Sequence, residues 1–287
     1  MNIGVIGAGA WGTALSIIAA RGGANVVLWS YDGECKQFNG VEMPDNLRLT
    51  SDMSQLHDCA AWLIVTPAAY FRETLGNARE FYNNQPVIIC TKGAERESGA
   101  FMSEVLRTVL PQCHEFGVLS GPQFAAEVAS GIPTGSTLAG TPVACRVGAK
   151  ILNKMYINES DDIIGTEMCG VGKNAVALIC GYNSVAAAGE NERALIFTRA
   201  WNEVMDLGLA CGAQMRTFLD LCGIGDLFLS ATSATSRNFA GGMAIARGEP
   251  PAGTVEGIFA LRGLIERAKK QGIDTPILCE MQKKLGI

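Results

Sequence analysis

The first thirty residues alternate between short apolar runs and breaks at regular spacing. Met1 to Ile6 is a β-branched run, a glycine-rich turn follows at once, Ala14 to Ala20 reads as helix, and Asn25 to Trp29 is a second strand. This order predicts a βαβ unit and a parallel sheet. Ala61 to Val65 and Pro86 to Cys90 are continuously apolar, as strands buried on both faces are. Ser103 to Leu110 has helical spacing, and Gly117 to Leu119 opens a further strand that stops at Ser120-Gly121-Pro122. After about residue 165 strand signals fade. Ala175 to Ala188, Ala194 to Leu209 and Val255 to Lys270 are long and rich in Ala and Leu. The pattern predicts an α/β chain: a Rossmann-like, mostly parallel sheet domain over 1–165, then an all-α domain over 166–287.

The turn itself reads Gly7-Ala8-Gly9-Ala10-Trp11-Gly12. The spacing GxGxxG is weak alone, but here it follows a strand and opens a helix, which is the context that binds a dinucleotide. Gly7 permits the tight turn, Gly9 lets a pyrophosphate approach the backbone, and Gly12 allows helix and strand to pack closely. The free N–H groups of the helix start then face the diphosphate. The residue after the second strand discriminates between NAD and NADP. That strand ends Trp29-Ser30-Tyr31-Asp32, and Asp32 lies 20 residues after Gly12. An acid there suits the ribose 2′-OH, so NAD(H) is favoured over NADP(H); the competing reading makes Asp32 the cap of a following helix.

Composition narrows the partners. With 48% hydrophobic and 18% charged residues the chain is globular, and its net charge of −5 argues against a nucleic-acid surface. No apolar run reaches the roughly 18 residues of a spanning helix. The N-terminus carries no basic leader or cleavable apolar segment, so a cytoplasmic protein is expected. The ten cysteines are scattered without a CxxC pair, and read as reduced, mostly core thiols. His57 and His114 are the two histidines, both expected to be surface or structural, and no metal-ligand spacing occurs.

Reduction of a ketone needs a proton source beside the carbonyl oxygen, and with histidines scarce lysine is the natural candidate. A free lysine titrates near about 10.4, so burial or a neighbouring cation has to depress it. Lys173 lies in the apolar run Cys169 to Ala177, where Gly170 and Gly172 leave room for a ligand. The bland alternative is a lysine snorkelling from a core helix. Lys92 follows the strand Pro86 to Cys90, at the carboxyl end where α/β sheets bind ligands; otherwise it is a surface lysine. Ser236-Arg237-Asn238 ends a hydroxyl-rich stretch and suits a phosphate, or else caps a helix. Asp226 stands in an apolar setting and needs a partner, either a substrate hydroxyl or Lys173. Arg199 reads as a buried structural ion-pair partner.

Seven motifs in order carry a resemblance: Gly7 to Leu15, Lys92-Gly93, Leu119-Ser120-Gly121-Pro122-Gln123-Phe124-Ala125, Gly172-Lys173-Asn174, Gly223-Ile224-Gly225-Asp226-Leu227, Ser236-Arg237-Asn238 and Val255-Glu256-Gly257. Together they resemble the bacterial-type NAD(P)-dependent sn-glycerol-3-phosphate dehydrogenases. The resemblance implies reversible reduction of dihydroxyacetone phosphate to sn-glycerol 3-phosphate, the backbone precursor of glycerophospholipids, by a homodimer acting on a small phosphorylated substrate. It implies Lys173 as proton acceptor. It implies substrate contacts from Lys92, Gly121, Gln123, Lys173, Asp226, Ser236, Arg237 and Asn238. It implies cofactor contacts from Gly7, Gly9, Ala10, Trp11, Gly12, Tyr31, Asp32, Lys92, Ala125, Arg237 and Glu256. The chain departs from the family's pattern in three places: Gln123 stands where Ser or Thr is usual, Ala10 where Ser is common, and Tyr31 where NADP users often have arginine. It is also a few tens of residues shorter than typical members, with a trimmed final helix as the expectation. The competing functions are a related two-domain dehydrogenase for another hydroxy acid or sugar phosphate, which Gln123 would mark, and a catalytically silent dinucleotide sensor, against which Lys92, Lys173 and Asp226 argue.

Overall fold

The computed structural model describes residues 1–96 and 98–287. The chain divides into two units, Met1–Glu95 with Ala100–Ile163, and Ile164–Ile287 with Arg96–Gly99.

Among the described residues the first unit holds one eight-stranded sheet: β1 (Asn2–Ile6), β2 (Asn25–Trp29), β3 (Leu47–Thr50), β4 (Trp62–Ile64), β5 (Val87–Ile89), β6 (Phe116–Ser120), β7 (Gly135–Gly140) and β8 (Tyr156–Ser160). Their spatial order is β3-β2-β1-β4-β5-β6-β7-β8, parallel throughout except where β6 and β7 run antiparallel. Side chains alternate across the sheet. Ile3, Val5, Leu28, Leu63 and Ile88 pack on one face under α1 (Ala10–Arg21), the short α4 (Ala125–Ala129) and α5 (Pro142–Ile151). Ile6, Trp62, Ile64, Val87 and Ile89 pack on the other under α2 (Ala68–Ala78) and α3 (Met102–Val109). Burial on both faces is why these strands read as unbroken apolar runs.

Three strands escaped the apolar pattern. β3 and β8 are half-exposed edges with mixed composition. β7 is Gly-Ser-Thr-Leu-Ala-Gly, a poor strand former. Its glycine is there for packing: Gly140 pairs with Gly117 of β6, and a Cβ at Gly140 would stand 2.5 Å from the Gly117 Cα.

The second unit is helical: α6 (Ile163–Ala186), α7 (Glu190–Ala210), α8 (Met215–Phe218), α9 (Asp226–Thr232), α10 (Arg237–Ala246), α11 (Glu256–Gln271) and α12 (Pro276–Lys284). Among the described residues one helix, α6, is long and apolar enough by length and composition to cross a membrane, although Glu167 and Lys173 interrupt its apolar run. It is the core helix of this unit, and 78% of its most apolar window is buried. Gly172 on α6 departs from expectation. Its missing side chain is not ligand space, because a Cβ there would overlap Val204 of α7. The glycine lets two helices meet closely.

Candidate active site

The glycine turn sits at the carboxyl end of β1. Gly7 has φ +111°, a conformation that disfavours any side chain, and its N–H donates to the Trp29 carbonyl at 3.0 Å. A Cβ at Gly12 would overlap the Gly7 carbonyl oxygen. Gly7 and Gly12 are therefore required by the chain's own packing. Gly9 is not, since a Cβ there would meet nothing within 4 Å. Its backbone is open to approach from outside the chain. Gly9 is also the N-cap of α1, supplies no side-chain cap, and leads into a first turn without an acid. The free N–H groups and the helix dipole there suit an anion.

A row of buried polar atoms follows the same sheet edge. Trp11 Nε1 beside β1, Thr66 Oγ1 after β4 and Ser120 Oγ at the end of β6 are each buried without a hydrogen-bond partner. Leaving such a group unpaired costs about 1–3 kcal/mol. A dinucleotide, rich in donors and acceptors, fits both the anion seat and these atoms.

After β2 the chain does not form the helix that one reading of Asp32 requires. Asp32 Oδ1 instead accepts from Ser30 Oγ at 2.7 Å and from the Glu34 N–H at 3.0 Å, closing a tight turn. The Ser30 hydroxyl, then the Glu34 amide, hold its carboxyl below the ordinary aspartate value. Tyr31 beside it is 90% exposed. The Lys36 N–H reaches back to the Ala8 carbonyl at 3.2 Å, folding this segment onto the glycine turn.

Lys92 follows β5, and its Nζ donates to the Gly121 carbonyl at 2.8 Å. Gly121 lies against β7: a Cβ would stand 2.7 Å from the Gly135 oxygen. Gln123 Nε2 donates to that oxygen at 2.6 Å and also bonds Ser136 Oγ, while its Oε1 is buried without a partner. The amide cannot be reversed, because the Gly135 carbonyl accepts only. Both amide protons of Gln123 thus face β7. Ala125 is the first residue of α4.

In the second unit Lys173 of α6 meets α9. Its Nζ lies 3.3 Å from Asp226 Oδ1 and donates to Ser230 Oγ at 3.0 Å. Ser230 in turn donates to Asp226 Oδ1 at 3.3 Å. The lysine side chain is 12% exposed and the aspartate 1%. Of the two roles open to Asp226 in the sequence, the structure places its carboxylate against Lys173. Ser230 was missed. The available signal was its position four residues after Asp226, which puts both on one face of α9.

Ser236 caps α10, accepting from the Phe239 N–H at 3.4 Å, with Arg237 as the first helical residue. Asn238 is 8% exposed; its Nδ2 donates to Asn174 Oδ1 at 2.7 Å and its Oδ1 accepts from the Gly257 N–H at 2.8 Å. It ties α6, α10 and the start of α11 together. Glu256 is the first residue of α11 and half-buried. Arg199 is exposed, correcting its reading as a buried ion-pair partner. His57 and His114 are exposed, and none of the ten cysteines is in a disulfide; six of them are buried.

Comparison with known proteins decides the family. Residues 2–145 match the model of the NAD-dependent glycerol-3-phosphate dehydrogenase N-terminus, and residues 162–285 that of its C-terminus. The chain belongs to this family. The NAD(P)+ glycerol-3-phosphate dehydrogenase of Afipia carboxidovorans is 39% identical over 294 residues, spanning 96% of this chain and 89% of that protein. The crystal structure of the glycerol-3-phosphate dehydrogenase from Coxiella burnetii superposes with a TM-score of 0.89 at 28% identity, over 99% of this chain and 94% of that one. The D-mandelate dehydrogenase ternary structure shares the fold alone, with a TM-score of 0.69 at 13% identity over 100% of this chain and 97% of that one. The fold is thus common to dehydrogenases of different substrates, and family membership rests on the sequence match.

Proposed function

We propose that this chain interconverts dihydroxyacetone phosphate and sn-glycerol 3-phosphate with a nicotinamide dinucleotide, and that Lys173 moves the proton. The carrying observation is a largely buried lysine on an apolar helix with its amine held by Asp226 and Ser230. Family membership supports the reaction and the dependence on NAD(P).

A bound nicotinamide supplies the hydride in one direction and takes it up in the other. Lys173 Nζ donates a proton to the carbonyl oxygen as it is reduced, and recovers it from the hydroxyl in the reverse reaction. Such proton transfer contributes about 10²- to 10⁴-fold. Asp226 and Ser230 orient the amine. Ser236 keeps its O–H free to donate, because its oxygen is the capping acceptor, and Arg237 presents a planar fork of donors. Both stand at the N-terminus of α10, where the helix dipole favours the substrate phosphate. Lys92 offers a cation at the sheet edge for ligand contact. We assign cofactor binding to 1–165 and proton transfer to 166–287. The ionised Asp32 repels a 2′-phosphate and accepts from a 2′-OH, so NAD(H) is the favoured cofactor. Thiols outside any disulfide support a cytoplasmic, reducing setting, and the family resemblance supports a homodimer.

Steady-state turnover of dihydroxyacetone phosphate, run separately with NADH and NADPH, tests the reading. NADH gives the higher kcat/KM. Lys173→Ala loses about 10³-fold in kcat with NADH affinity retained; near-normal turnover in that variant refutes the mechanism. A strong preference for a non-phosphorylated ketone removes the Ser236 and Arg237 assignment.

A further inference from the structure

The connection between α8 and α9 is unlike an ordinary interhelical turn. Leu221–Gly225 winds as a π-helix, broken at Gly223, which leaves the helical conformation at φ −89° and ψ −105°. Such π-turns are rare and gather at functional sites. This one delivers Asp226, the first residue of α9.

The turn is held from three directions. The N–H groups of Gly223 and Gly225 both donate to the Asp220 carbonyl, at 3.1 and 3.3 Å, and the Leu221 N–H donates to Asp220 Oδ1 at 2.7 Å. Gly223 lies on Phe218: a Cβ there would stand 2.7 Å from the Phe218 Cα and closer still to its carbonyl. Phe218 is fully buried, edge-on to Trp201 of α7 with ring centroids 5.9 Å apart. Gly208 of α7 makes room for that ring, since a Cβ there would overlap it. The turn is therefore seated on α7.

Two thiols provide the third link. Cys169 precedes Lys173 by four residues on α6, and Cys222 precedes Asp226 by four. Both are fully buried, and both donate to the Thr217 carbonyl, at 3.9 and 3.6 Å. One backbone oxygen thus joins the segments that carry the two halves of the ion pair. A thiol is a weak donor, so each contact is small, but both bear on the same spacing.

We propose that residues 217–225 are the positioning device for the reaction's ion pair, with Gly223 and the Thr217 carbonyl setting how far the Asp226 carboxylate reaches towards Lys173. The inference rests on the reading of Lys173 given above. The pair's 3.3 Å spacing is longer than the about 2.7–2.9 Å of a tight charged contact. A shift of a few tenths of an ångström therefore makes or loses it. A side chain at Gly223 forces a shift of that size, because nothing at 2.7 Å from a Cβ can stay there. Since a misplacement of about 1 Å costs on the order of 10²-fold in rate, a shift of this size costs about tenfold.

The test compares kcat per active site, KM, NADH affinity and Tm for Gly223→Ala, Cys222→Ala, Cys222→Ser and Asp226→Asn, with the double variant of Gly223 and Asp226. Gly223→Ala is expected to lower kcat about tenfold while KM and NADH affinity stay within about twofold. Cys222→Ala lowers kcat about twofold, and Cys222→Ser restores it, since a hydroxyl donates to the same carbonyl. In the Asp226→Asn background Gly223→Ala lowers kcat no further, because the device acts through that carboxylate. A purely structural role predicts a lower Tm with unchanged kcat, or additive losses in the double variant, and either result overturns the proposal. If Gly223→Ala fails to fold, Cys222→Ala with parental kcat overturns it. The two levels separate: an active Lys173→Ala removes the underlying reading, whereas an inactive Lys173→Ala beside a silent Gly223→Ala removes the positioning device alone.

Discussion

At the carboxyl edge of the sheet, where we place the dinucleotide, the polar groups are backbone N–H groups and single side-chain atoms without hydrogen-bond partners, among them Trp11 Nε1, Thr66 Oγ1 and Ser120 Oγ. Around Lys173 the arrangement is opposite: amine, carboxylate and hydroxyl already hold one another within 3.3 Å. The first region is shaped by where side chains are missing and leaves polar atoms for a ligand to meet. The second is shaped by which side chains converge and satisfy one another. Binding a long, polar molecule needs many modest contacts along an edge. Moving a proton needs one group at a defined place, and buried ionised groups stay in place only when paired.

The sharpest way to break this contrast is to fill the first region. Gly12→Val has no room against the Gly7 carbonyl. It should abolish NADH binding, by more than about 100-fold in fluorescence titration, and lower stability by about 1–3 kcal/mol. A Gly12→Val protein that binds NADH normally shows that the turn is not the cofactor seat. The next largest effect belongs to the second region. Asp226→Asn keeps shape and removes the charge that faces Lys173, so kcat should fall about 30- to 100-fold, the about 2–3 kcal/mol scale of a lost charged contact. NADH affinity should not change; if it fell in parallel, the division of labour between the regions would be wrong. Ser230→Ala is the mildest. It removes the hydroxyl's two hydrogen bonds, to Lys173 and to Asp226, while leaving the ion pair itself, and at a net loss of about 1 kcal/mol should lower kcat about fivefold with KM nearly constant. A rise in KM alone would move Ser230 from orienting the lysine to contacting substrate.

Legibility in the sequence follows the same division. β1, the glycine turn, α1 and β2 were readable because each is a local pattern: an apolar run, glycines at fixed offsets, a helical period. The buried strands β4, β5 and β6 were readable because burial on both faces demands unbroken apolar residues. β7 was not, because its Gly140 answers to Gly117 on a neighbouring strand. β3 and β8 were not, because edge strands need little apolar character. The helix that the competing reading of Asp32 requires does not form, since its carboxylate is satisfied by Ser30 and Glu34 in a turn that propensity does not reveal. Gly172, which the local pattern suggests as ligand space, is helix contact. Gln123, recognisable as a departure from the family, shows its consequence only in three dimensions: both amide protons face β7 and the acceptor is left over.

The sequence alone determined the buried strands, the glycine turn between β1 and α1 and the conspicuous lysine, because steric rules for glycine and the cost of burying a charge act within a few residues. Only the tertiary structure decided what that lysine touches. Lys173 and Asp226 are 53 positions apart in the chain, and their 3.3 Å separation is set by how α6, α7 and the turn at Gly223 pack. Packing of this kind depends on the shapes of surfaces distant in sequence, and no local pattern encodes it.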